Sequence, residues 1–239
     1  MDEMRLFIVA GEASGDMHAA RLIRAIKATV PGLHVEGLGG EKMQAAGCVL
    51  RTDLVSSAVM GFSQVAKNLR FFHRLLSETA RYMHQHRPDV LVLVDYPGFN
   101  LRLAATAKKL NIPVVYYISP QIWAWRPRRI YKIAKLVDKM LVILPFEEEL
   151  YRKANVDVTY VGHPILDSVS ETELDANFLR QIDVTDSTNL IGLLPGSRKQ
   201  EILAILPVMI DTAKILLEQE PRARFLIPCS SHSNVELAQ

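Results

Sequence analysis

Cysteine is scarce: Cys48 and Cys229 are the only two in 239 residues. Two cysteines build neither a disulfide framework nor a metal-binding spacing, and both read as small core residues of a protein from a reducing compartment. No His, Cys and Asp residues recur at metal-ligand spacing either, so no structural or catalytic metal and no other cofactor is expected. Long apolar runs are absent. The longest, such as Val90–Val94 and Met140–Pro145, stop far short of the ~18 to 20 residues that span a bilayer. The opening MDEMRLFIVAGEASGD places two acids where a secretion signal carries basic residues, which predicts a cytosolic start. Neither G-x-G-x-x-G nor a P-loop occurs, so the common dinucleotide and ATP phosphate cradles lose support. Repeats and low-complexity tracts are absent too.

What remains is a chain with 49% hydrophobic and 23% charged residues, enough for one large core or two modest ones. Its net charge of +2 hides an imbalance: residues 1–139 hold 20 Lys and Arg against 11 Asp and Glu, and residues 140–239 hold 8 against 15. That split suggests two lobes with different surface duties, the basic one facing an anion. Short β-branched runs at Leu6–Ala10, Val90–Val94, Val114–Ile118 and Met140–Leu144 alternate with helical patterns at Met17–Thr29, Leu101–Leu110 and Ile130–Leu136. Continuous apolar strands between helices predict an α/β fold with a parallel sheet covered on both faces. The polar, acidic stretch 168–187 reads as a connection, giving domains 1–182 and 183–239. The second would hold strand Leu190–Leu194, a helix over 198–218 and strand Arg224–Pro228, one βαβ unit of an incomplete Rossmann-like domain.

Ligands of open α/β sheets gather at the carboxyl ends of the strands. After the first strand comes Gly11-Glu12-Ala13-Ser14-Gly15-Asp16. It is either a turn in which Ser14 or Asp16 caps the next helix, or a substrate loop at a helix N-terminus. After Val94 comes Asp95-Tyr96-Pro97-Gly98-Phe99-Asn100. Asn100 suits the cap of the following helix, which leaves Asp95 as the lead catalytic candidate, a general base. Both tryptophans fall in the next strand-end loop, Ser119 to Arg129, whose basic surroundings could meet phosphate, nucleic acid or a membrane interface. The Met60–Leu76 segment is amphipathic and has no acid; it is either an interfacial helix or a core-facing helix with a basic outside. Pro195-Gly196-Ser197-Arg198, followed by Glu201, makes a diphosphate site at a helix start, and His163 follows a further strand.

Taken in order, GEASGD, AVMGF, DYPGFN, SPQIWAWRPRR, LPFE, VGHP and LLPGSRKQE closely resemble the lipid-A-disaccharide synthase family of two-Rossmann-domain (GT-B) glycosyltransferases. The resemblance runs to about Pro228. It implies an inverting, metal-independent transfer from UDP-2,3-diacylglucosamine to 2,3-diacylglucosamine 1-phosphate, on the cytoplasmic face of the inner membrane of a Gram-negative bacterium. Asp95 matches the family's proposed base. The resemblance assigns Gly196, Ser197, Arg198 and Glu201 to UDP. It assigns Glu12, Ser14, Gly15, Asp16, Met60, Gly61, Asn100, Gln121, Trp123, Arg126 and His163 to the acceptor side. The Met60–Leu76 helix becomes the membrane contact, and a homodimer is left open. Family members continue well past residue 239 with further uridine and diphosphate contacts, so this chain alone is expected to be inactive. Two other readings compete: a UDP-N-acetylglucosamine 2-epimerase or similar UDP-sugar enzyme, and a non-catalytic lipid- or nucleotide-binding module. A nucleic-acid partner is not expected, since no RRM, KH or helix-turn-helix pattern accompanies the basic loop.

Overall fold

A computed structural model describes residues 4–59, 65–125, 127–175, 177–185, 187–196, 199–229 and 234–236. The chain divides into two compact units, Met1–Glu171 and Thr172–Gln239. The division falls within the polar stretch 168–187 that reads as a connection. The Arg21 guanidinium donates to the Pro164 carbonyl at 3.2 Å and to Glu171 at 2.8 Å, so both residues are bonded back into the first unit.

The first unit is a seven-stranded sheet in the order β3-β2-β1-β4-β5-β6-β7, parallel throughout. The strands are β1 (Arg5–Ala10), β2 (His34–Gly39), β3 (Val49–Asp53), β4 (Val90–Val94), β5 (Val114–Tyr117), β6 (Lys139–Val142) and β7 (Val158–Tyr160). The helices between them are α1 (Ala13–Thr29), α2 (Glu41–Ala45), α3 (Leu54–Val59), α4 (Val65–His86), α5 (Pro97–Lys109), α6 (Ile122–Trp125), α7 (Ile130–Ile133), α8 (Pro145–Lys153) and α9 (Ile165–Ser170). Strand periodicity sorts the core onto two faces. Leu6, Ile8, Ala10, Val92 and Val94 pack with Ala19, Ala20 and Ile23 of α1. Phe7, Val9, Leu91 and Leu93 face the other way, against Leu75 and Met83 of α4 and Leu103, Ala104 and Ala107 of α5.

Three helical expectations are corrected. The first helix starts at Ala13, so Ser14, Gly15 and Asp16 sit in its first turn and neither Ser14 nor Asp16 caps it. The helix after β4 starts at Pro97, with Tyr96 at its cap position and Asn100 inside its first turn; proline at the first helical position, with φ already set, moves the start upstream. The helix expected over Ile130–Leu136 closes after Ile133. The amphipathic helix expected over Met60–Leu76 is described from Val65 and runs on to His86. Along its described side chains Leu75 and Met83 are buried, and Phe71, Phe72 and Leu76 pack against the same core.

The second unit holds α10 (Phe178–Gln181), β8 (Asn189–Gly192), α11 (Lys199–Gln219) and β9 (Ala223–Leu226), with β8 and β9 paired in parallel. Only Ile202 and Leu206 of α11 are buried, while Leu203, Val208 and Ile215 are exposed. A two-stranded parallel sheet has too little surface to cover such a helix.

Candidate functional site

The strand order reverses direction between β1 and β4, the position where open α/β sheets bind ligands. The two strand-end loops there are Gly11-Glu12 and Asp95-Tyr96. Asp95 and Tyr96 both take left-handed backbone angles (φ 45° and 47°), and Ile118 at the end of β5 takes φ 63°. Non-glycine residues there are strained by about 1–3 kcal/mol each, and a β-branched one is an outlier. Surrounding bonds hold the conformation. The Asp95 N–H donates to the Tyr117 carbonyl at 3.2 Å. The Asp95 carbonyl accepts from the Tyr116 hydroxyl and, at 2.7 Å, from Asn100 Nδ2, which also donates to the Val94 carbonyl at 3.2 Å. Asn100 is fully buried, so it is a fixed support for the Asp95 backbone. Gly11 is the other requirement: a Cβ there would stand 2.3 Å from the Tyr96 ring.

With its backbone fixed, Asp95 lines a cleft of about 510 Å³ together with Ile118, Ser119, Gln121, Arg129 and Glu147. Burial raises its pKa, the nearby Glu12 carboxylate raises it further, and the Tyr96 N–H only partly opposes this. A carboxylate destabilised in this way is a stronger base than an exposed one. Glu147, 1% exposed, lies in the wall of the cleft. Its Oε1 accepts from Ser119 Oγ at 2.7 Å and Trp123 Nε1 at 3.2 Å, and its Oε2 from the Leu144 N–H at 3.3 Å. One buried carboxylate thus joins the loop after β5 to the start of α8, and holds the Trp123 indole, which stacks edge-on with exposed Phe146 at 5.1 Å. Glu147 and Arg129 were missed as site residues. The signal in the sequence was Pro145 and Glu147 at the first and third helical positions of LPFE, a helix-start pattern.

The other candidates are scattered. Glu12 and Ser14 are exposed at the start of α1, and Gly15 lies 3.5 Å from Ala10 Cβ at the position where its own Cβ would be. Asp16 is buried, and its carboxylate accepts from the N–H groups of Gly40, Lys42 and Met43 at 2.9, 3.1 and 3.0 Å. It caps α2 across the sheet's edge rather than facing the cleft. His163 lies in the loop after β7, its Nδ1 accepting the Ile165 N–H at 3.2 Å. It acts electrostatically on His18 of α1, whose pKa is lowered by burial and then by His163 and Arg21. In the second unit Gly196 has φ +111°, and a Cβ on it would meet Glu201 Oε2 at 2.5 Å, so these two are close neighbours. Met60, Gly61, Arg126, Ser197 and Arg198 lie outside the described residues. Among the described residues no group of three His, Cys, Asp or Glu is placed to hold a metal, and no helix is long and apolar enough to cross a membrane.

Solved structures with this fold include a UDP-GlcNAc 2-epimerase from Neisseria meningitidis bound to UDP-GlcNAc (TM-score 0.62, 12% identity, 99% of this chain and 68% of that one). The glycotransferase of kitacinnamycin is another (TM-score 0.51, 15% identity, 95% and 66%). At such identities the likeness is one of fold, the α/β GT-B type. Sequence relatives are much nearer. A lipid-A-disaccharide synthase from Syntrophus aciditrophicus is 46% identical over 231 residues, 97% of this chain and 60% of the relative. Lipid-A-disaccharide synthase 1 from Legionella pneumophila is 42% identical over 231 residues, 96% and 60%. The chain thus spans about 60% of the length of these relatives. The family model described as lipid-A-disaccharide synthetase matches residues 6–238, and with nearly the whole chain matched, the chain belongs to the lipid-A-disaccharide synthetase family.

Proposed function

We propose that the full-length protein is an inverting glycosyltransferase that joins UDP-2,3-diacylglucosamine to 2,3-diacylglucosamine 1-phosphate and releases UDP. The observation that carries the reading is Asp95: a carboxyl of raised pKa, on a strained and braced backbone, facing a cleft at the switch point. In this reading the Asp95 carboxylate takes the proton of the acceptor's 6-hydroxyl as that oxygen attacks the anomeric carbon of the donor. The bond to UDP breaks on the opposite face, which inverts the centre. A single base suffices for this geometry. Partial burial raises the basicity of the carboxylate and makes the proton transfer more favourable.

Arg129 and Gln121 line the same cleft and are suited to the acceptor's phosphate and hydroxyl groups. The first unit would be the acceptor side. The second unit would be the start of the UDP-sugar domain, with Gly196, Glu201 and, by family match, Ser197 and Arg198 against the diphosphate. The remaining length of the relatives would supply the strands that α11 needs. The 239-residue chain by itself should therefore turn over little or no substrate. The exposed Trp123–Phe146 pair and the basic flank of α4 support a peripheral place on the anionic inner face of the inner membrane.

The test is UDP release by the full-length protein in detergent, with and without the lipid acceptor. Acceptor-dependent UDP release and a disaccharide product are expected. Acceptor-independent interconversion of UDP-N-acetylglucosamine with its 2-epimer would overturn the transferase reading in favour of an epimerase.

A further inference from the structure

A second concavity opens behind the Asp95 loop. It has a volume of about 240 Å³ and is lined by Phe72, His73 and Leu76 of α4 and by Tyr96, Gly98, Phe99 and Arg102 at the start of α5. Its walls are mostly aromatic or aliphatic. The rings of Phe72, Tyr96 and Phe99 stand 6.2 to 6.4 Å from one another, a triad arranged around space rather than stacked shut. At its polar side are His73 and Arg102, both exposed, and the Arg102 guanidinium donates to the Gly98 carbonyl. The pocket and the catalytic cleft share one stretch of chain: Asp95 and Pro97 line the cleft, while Tyr96 and Gly98 line the pocket.

We propose that this pocket holds an acyl chain of the lipid acceptor and acts as the enzyme's acyl-length gauge. The inference rests on the transferase reading above and deepens it. Continuity identifies the occupant: a molecule whose hydroxyl reaches the Asp95 carboxyl can pass a chain over the Tyr96–Gly98 turn without leaving the protein surface. Chemistry agrees, since an apolar hollow edged by a guanidinium and an imidazole matches an aliphatic tail on a phosphorylated head. The space takes roughly eight methylene groups, at about the 30 Å³ that a water molecule occupies in the liquid. Each methylene transferred from water contributes roughly a fourfold gain in binding. Chains that differ by two or three methylenes within this space should therefore differ in binding by roughly tenfold or more.

Gly98 provides a clean probe, because a Cβ placed there meets no atom within 4 Å. A Gly98→Leu side chain would stand at the rim of the hollow without displacing a neighbour. Full-length protein, wild type, Gly98→Leu and Leu76→Ala, would be photolabelled with a glucosamine 1-phosphate whose acyl tail ends in a diazirine. The labelled peptides would then be mapped. Labelling at 70–76 and 96–102 in the wild type is expected, at least tenfold reduced in Gly98→Leu. Labelling confined to other segments overturns the pocket, whether or not the protein turns over. A simple phospholipid with the same tail that labels these peptides equally well identifies the occupant as bilayer lipid and also overturns it. In the turnover assay, kcat/KM of Gly98→Leu relative to wild type should fall as the acceptor's chain lengthens, and Leu76→Ala should move the optimum to longer chains. Equal effects at every length would remove the gauge while leaving the transferase reading intact. Absence of acceptor-dependent UDP release in the wild type would remove that reading, and the label map would still decide the pocket.

Discussion

Two carboxylates at opposite ends of the same sheet are treated in opposite ways. Asp95, at the carboxyl edge, is half-buried near another acid, and its pKa is raised. Glu36, toward the amino edge, is 8% exposed. Burial pushes it up as well, but the Tyr82 hydroxyl, His34 and Arg51 outweigh that and hold it below the usual carboxylate range. Its oxygens accept from Tyr82 and pair with His34 Nε2 at 2.7 Å, Arg5 at 3.7 Å and Arg51 at 3.8 Å. Arg51 also lies 4.1 Å over the Tyr82 ring, which stacks on His86 at 4.0 Å. A burial cost is met in full at one edge and left standing at the other. The satisfied group stabilises the fold; the unsatisfied one is kept reactive.

The comparison breaks first at Asp95. Asp95→Asn should lower kcat of the full-length protein by about 10²–10⁴-fold, the usual range for removing a general base. Asparagine tolerates the left-handed backbone, so the fold should persist. It should also become more stable at neutral pH. A raised carboxyl pKa costs stability as pH climbs from the unfolded value, about 4, through the folded one, and the cost is fully present above both. The Tm gain of Asp95→Asn should therefore vanish as pH falls below about 4. Thermal melts across that range check the sign.

Glu36→Gln should do the reverse: lose about 1–3 kcal/mol of stability by leaving charged partners unmatched, with kcat of the folded enzyme retained. Its depressed pKa contributes stability above the unfolded value, lost as pH falls through the folded one. Denaturant melts of the variant and the wild type should therefore converge in acid.

Gly11→Ala sharpens the contrast from a third position. Its Cβ would stand 2.3 Å from the Tyr96 ring and must push it away, at about 1–3 kcal/mol in an equilibrium melt and with a fall in kcat, because Tyr96 follows Asp95. The smallest effect concerns Cys48, whose thiol burial pushes up to about 12. It should resist alkylation in the native state while Cys229, partly exposed, reacts; mass spectrometry of the alkylated protein reads this directly.

The strands β1, β4, β5 and β6 were legible because each carries a short apolar run, buried on both faces in β1 and β4 and on alternate residues in β5 and β6. So was Asp95, because a carboxylate directly after such a run has no packing reason to be there. Strand β2 was not: its sequence, HVEGLG, carries an acid and two glycines, which weaken any strand pattern. The acid is Glu36, whose partners are His34 of its own strand together with residues from β1, β3 and α4. Gly37 lies where a Cβ would meet the Ile8 carbonyl at 1.9 Å, a requirement set by a neighbouring strand. Asp16 and Glu147 were obscure for the same reason. Their partners lie 24 to 28 residues away for the bonds from Gly40 and Ser119, and local sequence cannot tell a buried non-local cap from a substrate ligand.

The most direct measurement is the titration of both carboxyls in one sample by carbon-13 NMR of Asp- and Glu-labelled protein, with Asp95→Asn and Glu36→Gln spectra giving the assignments. The account predicts that Asp95 titrates above the ordinary aspartate value and Glu36 below the ordinary glutamate value. An Asp95 carboxyl at or below its ordinary value would contradict the claim that the carboxyl edge of this sheet holds a base in readiness.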